Sequence, residues 1–121
     1  MDEFRLGAVE SKFADIIWEN EPLSSRELVT LCEQRLEWKK STTYTVLKKL
    51  CDRGIFRNDG GMVTAVMTRE GFYSAQSEKV VNDSFGGSLP AFIAAFTSRK
   101  PLTEQEIDEI RRMIESAPED Q

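Results

Sequence analysis

Residues 22–66 read PLSSRELVTLCEQRLEWKKSTTYTVLKKLCDRGIFRNDGGMVTAV, and the order of signals along this stretch decides the fold. Pro22 halts whatever precedes it, and Ser24 with Glu27 three residues on forms a capping box that opens a helix. That helix turns Leu28, Val29, Leu31 and Cys32 inward and runs to about Arg35. Residues 36–40 make a turn holding Trp38, which reads as a lid over the two helices rather than a stacking platform for a base. Ser41 can cap the next helix, whose inward positions are Thr43, Val46, Leu47 and Leu50, with Cys51 at the edge and Gly54 as its stop. Ile55-Phe56-Arg57 and residues 62–67 are strand candidates around Asn58-Asp59-Gly60-Gly61, a strong hairpin turn. Two short helices at a turn, then a glycine-tipped hairpin, predict a winged helix-turn-helix.

Working outward, Val9, Phe13, Ile16 and Ile17 recur at helical spacing and Trp18 closes the stretch, so a scaffold helix is expected from about Gly7 to Glu19. Downstream, Thr68 caps a helix carrying Phe72, Tyr73, Val80, Val81 and Phe85, broken at Gly86-Gly87. Another starts near Ser88 with Pro90 in its first turn and presents Leu89, Phe92, Ile93 and Phe96. Thr103 and Glu106 form a further capping box, opening a last helix with Ile107, Ile110, Met113 and Ile114 on one side. The expected class is thus mainly α with a small β-hairpin wing, a DNA-binding domain over 1–67 and a helical region over 68–121. The second region has large apolar stripes and little to pack against. Two interlocked copies would bury them, which makes a homodimer the simplest expectation, with folding back onto the winged domain as the alternative. The seam would draw on Phe72, Val80, Val81, Phe85, Leu89, Phe92, Ile93, Phe96, Ile107, Ile110, Met113 and Ile114.

Composition narrows the function. The 121 residues can hold one modest core or a small core plus a dimer seam. No apolar run is long enough to span a bilayer and the N-terminus lacks the basic stretch of a signal peptide, so a cytoplasmic protein without membrane insertion is expected. The chain has no histidine, and Cys32 and Cys51 are too far apart for a metal cluster; they read as a reduced, buried pair. Without histidine, a glycine-rich phosphate loop or metal-ligand spacing, neither an enzyme nor a cofactor is expected. The carboxylates Glu104, Glu106, Asp108 and Glu109 suit the first turn and solvent side of a helix.

The net charge of −5 looks wrong for a DNA binder, but its distribution does not. Between Arg35 and Arg57 seven basic residues (Arg35, Lys39, Lys40, Lys48, Lys49, Arg53, Arg57) face two acidic ones (Glu37, Asp52), so the remainder of the chain is strongly acidic. One basic face turned toward a polyanion follows from that asymmetry, although a merely solvated face is its plain alternative. At about 100° per residue, Ser41, Thr45, Lys48 and Asp52 point away from the core, with Thr42, Tyr44 and Lys49 flanking them. Ser41, Thr42 and Thr45 are the expected base readers, and Tyr44 can stack on a sugar or reach a phosphate. Lys39, Lys40, Lys48 and Lys49 suit phosphate contacts, and Arg57 with the backbone near Gly60 suits an adjacent phosphate or the minor groove. For Ser41 and Thr42 helix capping competes with readout. A symmetric dimer would prefer an inverted repeat.

These residues resemble the penicillinase repressor and methicillin-resistance repressor family over roughly Leu6 to Ile114. The likeness rests on Glu10 to Trp18, Pro22-Leu23-Ser24 with Glu27-Leu28, the series Trp38, Thr42, Thr45, Leu47, Leu50 and Gly54, and the segment from Gly87 to Phe96. The resemblance implies a dimeric winged-helix repressor on a palindromic operator of double-stranded DNA. In antibiotic-responsive members, a membrane-bound sensor metalloprotease system leads to cleavage within the fifth helix, and the matching bond here is Ala95-Phe96. Two departures stand out: the copper-responsive members' C-terminal cysteine cluster is absent, and Ala95 stands where the cleaved members have Asn. A winged helix that docks proteins, or a regulator that senses a small molecule at its dimer seam without cleavage, are the rival readings.

Overall fold

The computed structural model describes residues 5–119. Six helices and three short strands follow one another: α1 (Ala8–Asn20), β1 (Leu23–Ser24), α2 (Ser25–Leu36), α3 (Lys40–Asp52), β2 (Phe56–Asp59), β3 (Met62–Ala65), α4 (Arg69–Ser84), α5 (Leu89–Arg99) and α6 (Glu104–Ser116). The strands form an antiparallel sheet in the order β1-β3-β2. This is a winged helix, and the expectation of a mainly helical chain with a hairpin wing holds.

The core explains the periodicities. Phe13, Ala14, Ile16 and Ile17 of α1, Leu28 and Cys32 of α2, and Thr43, Leu47 and Leu50 of α3 are all buried, with Leu23, Ile55, Phe56 and Val63 closing the sheet side. Val9 departs from the expected stripe, being about half exposed at the open start of α1. Val29, Leu31 and Val46, expected inward, are only half buried. Trp38 is half buried against the core, its ring stacked 5.4 Å from Phe13 of α1.

Local chemistry sets the boundaries. Ser24 caps α2 by accepting from Glu27 N–H at 3.1 Å. Glu37 adopts the left-handed conformation (φ 57°) as α2 ends, and Trp38 N–H reaches back to the Cys32 carbonyl at 3.3 Å. Gly54 (φ 81°) ends α3 in a Schellman motif, with Gly54 N–H to Cys51 O and Ile55 N–H to Leu50 O. Ser41 is not the cap: α3 begins at Lys40 after Lys39, with no side-chain cap, which frees the Ser41 hydroxyl. Asn58 and Asp59 lie in β2, so only Gly60 (φ 59°) and Gly61 (φ 93°) make the hairpin turn, where both residues need positive φ. Ile55 precedes the strand, and Val66 and Met67 leave it, their N–H groups converging on the Ile55 carbonyl.

Phe72 corrects the expected seam. It is fully buried in the winged-helix core beside Trp18, with ring centroids 5.8 Å apart. The start of α4 is tied to α1 by Trp18 Nε1–H donating to the Met67 carbonyl at 2.9 Å and by Arg69 paired with Asp15 at 3.0 Å. The first compact unit accordingly ends at Lys79 and the second starts at Val80, so the division falls inside α4 rather than at the expected 67/68 boundary.

In the second unit, Ser88 caps α5 and the Thr103–Glu106 capping box opens α6, both as expected. Neither helix buries a residue fully. Phe85, Phe92 and Phe96 form a ring chain with centroids 5.4 and 6.4 Å apart, while Val80, Leu89, Ile93, Phe96, Ile107, Met113 and Ile114 stay exposed. Val81 and Ile110 are half buried. Among the described residues no helix is long and apolar enough to cross a membrane.

Candidate nucleic-acid interface

Three contacts orient α3. Thr43, Leu47 and Leu50 lock one side of the helix into the core, which forces the opposite side outward. On that outward side Lys40, Ser41, Thr42, Thr45, Lys48, Lys49 and Asp52 are all exposed, as the helical projection requires. Beside it stands the wing, whose Arg57, Asn58, Asp59 and Gly60 are exposed.

The hydroxyls differ in what they offer. Thr45 Oγ1 donates to the Ser41 carbonyl at 2.9 Å, so its proton is committed and it presents a methyl group and an acceptor. Ser41 and Thr42 side chains make no hydrogen bond among the described residues, and each keeps a donor and an acceptor for an incoming base edge. Tyr44 is half buried and its hydroxyl donates to Ser25 Oγ at 3.2 Å, so it is held against the start of α2.

The positive charges also divide. Lys48 pairs with Asp52 at 2.9 Å and Lys49 with Glu10 at 2.8 Å. The Lys48 ammonium is pushed up by its hydrogen bond to Asp52, and the Glu10 carboxyl is held below its usual range, first by the Lys49 hydrogen bond and then by Gly7 N–H. Lys39, Lys40 and Arg57 have no carboxylate partner among the described residues. Uncompensated positive charge therefore sits at the entrance of α3 and on the wing. Exposed ion pairs are individually worth about 0–1 kcal/mol, so a phosphate can still draw Lys48 or Lys49 away from its partner.

The two thiols are free. Desolvation by burial pushes both up, which leaves them protonated at neutral pH. Cys32 lies in the core and Cys51 is half buried between α3 and the wing, so packing explains both. No cluster of His, Cys, Asp or Glu among the described residues could hold a metal ion.

Sequence reasoning missed β1 and the role of Ser25. Two residues are too short for a strand periodicity, and only the pairing of Leu23 with Val63 and Ser24 with Met62 reveals that α2 begins hydrogen-bonded to the wing. The proximity of Ser25 to Tyr44 depends on the crossing of two helices, which no local signal in the sequence encodes.

Comparison with known proteins agrees with this geometry. The methicillin resistance regulatory protein MecI of Staphylococcus aureus is 18% identical over 115 residues, covering 92% of this chain and 94% of that protein. The model of the penicillinase repressor family matches residues 6–116, nearly the whole described chain including both α3 and the last helix. The chain thus belongs to the penicillinase repressor family.

Proposed function

We propose that this protein is a transcriptional repressor that binds a palindromic DNA operator as a homodimer. The observation that carries the reading is the outward side of α3: three small hydroxyl side chains flanked by lysines, fixed by the buried side of the same helix and set beside an exposed wing. A helix of this kind fits the major groove, where Ser41, Thr42 and Thr45 can approach base edges. Lys39, Lys40, Lys48, Lys49 and Arg57 would engage phosphates and fix orientation. Family membership supports the repressor role.

Dimerisation is supported by the second unit, where Val80, Leu89, Ile93, Phe96, Ile107, Met113 and Ile114 stay exposed. A second copy would cover them and place two α3 helices on one face of the duplex, with half-sites about one helical turn apart. Release would follow cutting of the Ala95-Phe96 bond through a membrane-bound sensor metalloprotease system. Both residues are exposed in the middle of α5, and opening one helical turn would present the bond to a protease. The cut would separate α6 from the reading heads and dissolve the dimer. Inducer-treated cells should then yield a fragment ending at Ala95, and an intact chain in derepressed cells would remove cleavage from the mechanism.

The two kinds of α3 contact separate in a gel-shift or anisotropy titration. Thr45→Ala is expected to weaken cognate binding about five-fold per half-site, roughly 1 kcal/mol for each contact and about twenty-five-fold for the dimer, with little change on random DNA. Lys48→Ala is expected to weaken both duplexes alike and lower the salt slope by about 0.9 for each protomer, about 1.8 for the dimer. An equal loss on both duplexes for Thr45→Ala removes it from the reading surface. Absence of any salt-sensitive duplex binding favours a protein-docking module instead.

A further inference from the structure

Ser25 is the meeting point of three elements. It is the first residue of α2, directly after the Ser24 cap. Its N–H donates to the Gly61 carbonyl at 2.7 Å, continuing the β1–β3 ladder to the tip of the wing. Its Oγ accepts from the Tyr44 hydroxyl at 3.2 Å, which reaches across from α3. A methyl group placed on Gly61 would meet Ser25 Oγ at 3.8 Å, so the side chain lies on the Gly61 side of α2. Through its hydroxyl to Tyr44 and its N–H to Gly61, Ser25 thereby joins the helix that carries the hydroxyl readers to the hairpin that carries Arg57.

Packing alone does not fix that relationship. The buried side of α3 sets its rotation through Thr43, Leu47 and Leu50, but the wing beyond Val63 is held by few contacts: β2 is exposed from Arg57 onward and Met62 is about half exposed. The Ser25 bonds link the tip of the wing to α3, beside the hydrogen bond of Cys51 with the Asn58 backbone on β2. Because Ser25 Oγ accepts from Tyr44, its own proton stays directed elsewhere, and the Tyr44 ring is held against the protein instead of swinging into the groove.

We propose that Ser25 is a positioning residue for operator recognition, acting through Tyr44 and the wing tip to hold the reading helix and the wing at a fixed separation. This rests on the DNA-binding reading above. Sequence-selective binding needs helix and wing to engage base edges and phosphates at once, so loosening their separation lowers the fraction of molecules in the competent geometry. Binding to arbitrary DNA draws on lysine–phosphate attraction, which tolerates that loosening.

The test uses the full-length chain and a duplex that it selects from a randomised pool, set against a scrambled duplex of equal length. Ser25→Ala and Tyr44→Phe should each weaken binding to the selected duplex about five-fold per half-site, about twenty-five-fold for the dimer, as expected for loss of one hydrogen bond in each protomer. On the scrambled duplex each should lose less than about two-fold. The double variant should be no weaker than either single one, because both remove the same link. Ser25→Thr, which keeps the hydroxyl, should restore selectivity. Melting temperatures measured beside the titrations establish that every variant is folded at the assay temperature. Equal losses on both duplexes, single-variant losses that multiply together in the double variant, or variants that bind like the parent would each overturn the role of Ser25 while leaving operator binding standing. A parent chain that enriches no duplex from the pool would overturn the DNA-binding reading itself, and the role of Ser25 with it.

Discussion

Phe96→Asp is expected to convert the protein to a monomer and to cost at least about a hundred-fold in operator binding. Phe96 is 49% exposed in the protomer and continues the ring chain of Phe85 and Phe92. Burial of a phenylalanine at a seam contributes roughly 1.5–3 kcal/mol, and two-fold symmetry counts it twice. Aspartate both forfeits that contribution and carries a charge into the interface. Dissociation constants for the dimer should therefore rise by at least about a hundred-fold. Operator affinity falls with it because two reading helices joined in one particle meet the second half-site at a high effective concentration, whereas separate monomers do not. Sedimentation velocity and a titration against the two-half-site duplex measure the two effects. The winged unit should melt as in the parent, since Phe96 lies outside its core. An intact dimer would place the seam elsewhere.

The opposite pattern is expected for Phe72, although its place in the sequence suggests the same stripe. Phe72→Ala should destabilise the winged unit by about 3–5 kcal/mol, the usual cost of removing a fully buried phenylalanine. Its ring is completely enclosed and lies against Trp18 and Tyr73, with centroids 5.8 and 5.2 Å away. Loss of the ring leaves a void beneath Trp18, the residue that bonds the Met67 carbonyl and fixes where α4 begins. A fall in melting temperature of roughly 12–40 °C follows for a unit of this size. Dimer dissociation in the remaining folded population should be unchanged. Parent-like stability with impaired dimerisation would return Phe72 to the seam.

These two phenylalanines show where sequence reading succeeds and where it stops. Helical spacing reports that a residue faces something apolar, and for Thr43, Leu47 and Leu50 it identified the buried side of α3 correctly. Once that side is known, the exposure of Ser41, Thr42, Thr45 and Lys48 follows from helix geometry alone. Spacing does not report which apolar body covers a stripe. Phe72 and Val80 lie on the same helix, yet Phe72 is buried in the first unit and Val80 stays 41% exposed in the second. Caps were legible where the motif is local, at Ser24 and at Thr103 with Glu106. The start of α3 was misplaced because the residue before the helix, Lys39, offers no capping side chain, whereas Ser41 has the right chemistry two residues too late.

Ion pairing was legible in the sequence only where it is local. Lys48 and Asp52 are neighbours at i and i+4, so their pair follows from helical spacing. The bond between Lys49 and Glu10 joins residues 39 positions apart and depends on how α1 and α3 pack. Its consequence is electrostatic: the lysines whose charge remains uncompensated are those at the entrance of α3, where the helix would first meet the phosphate backbone.

The most direct measurement is a guanine-methylation protection experiment on the full-length chain bound to its selected duplex, since methylation at N7 reports occupancy of the major groove. Protection should appear in two symmetric blocks about one helical turn apart, 10–10.5 base pairs centre to centre, and Ser41→Tyr in α3 should erase both blocks together. Protection confined to the minor groove, or blocks that survive the bulky substitution at Ser41, would contradict a reading helix formed by α3.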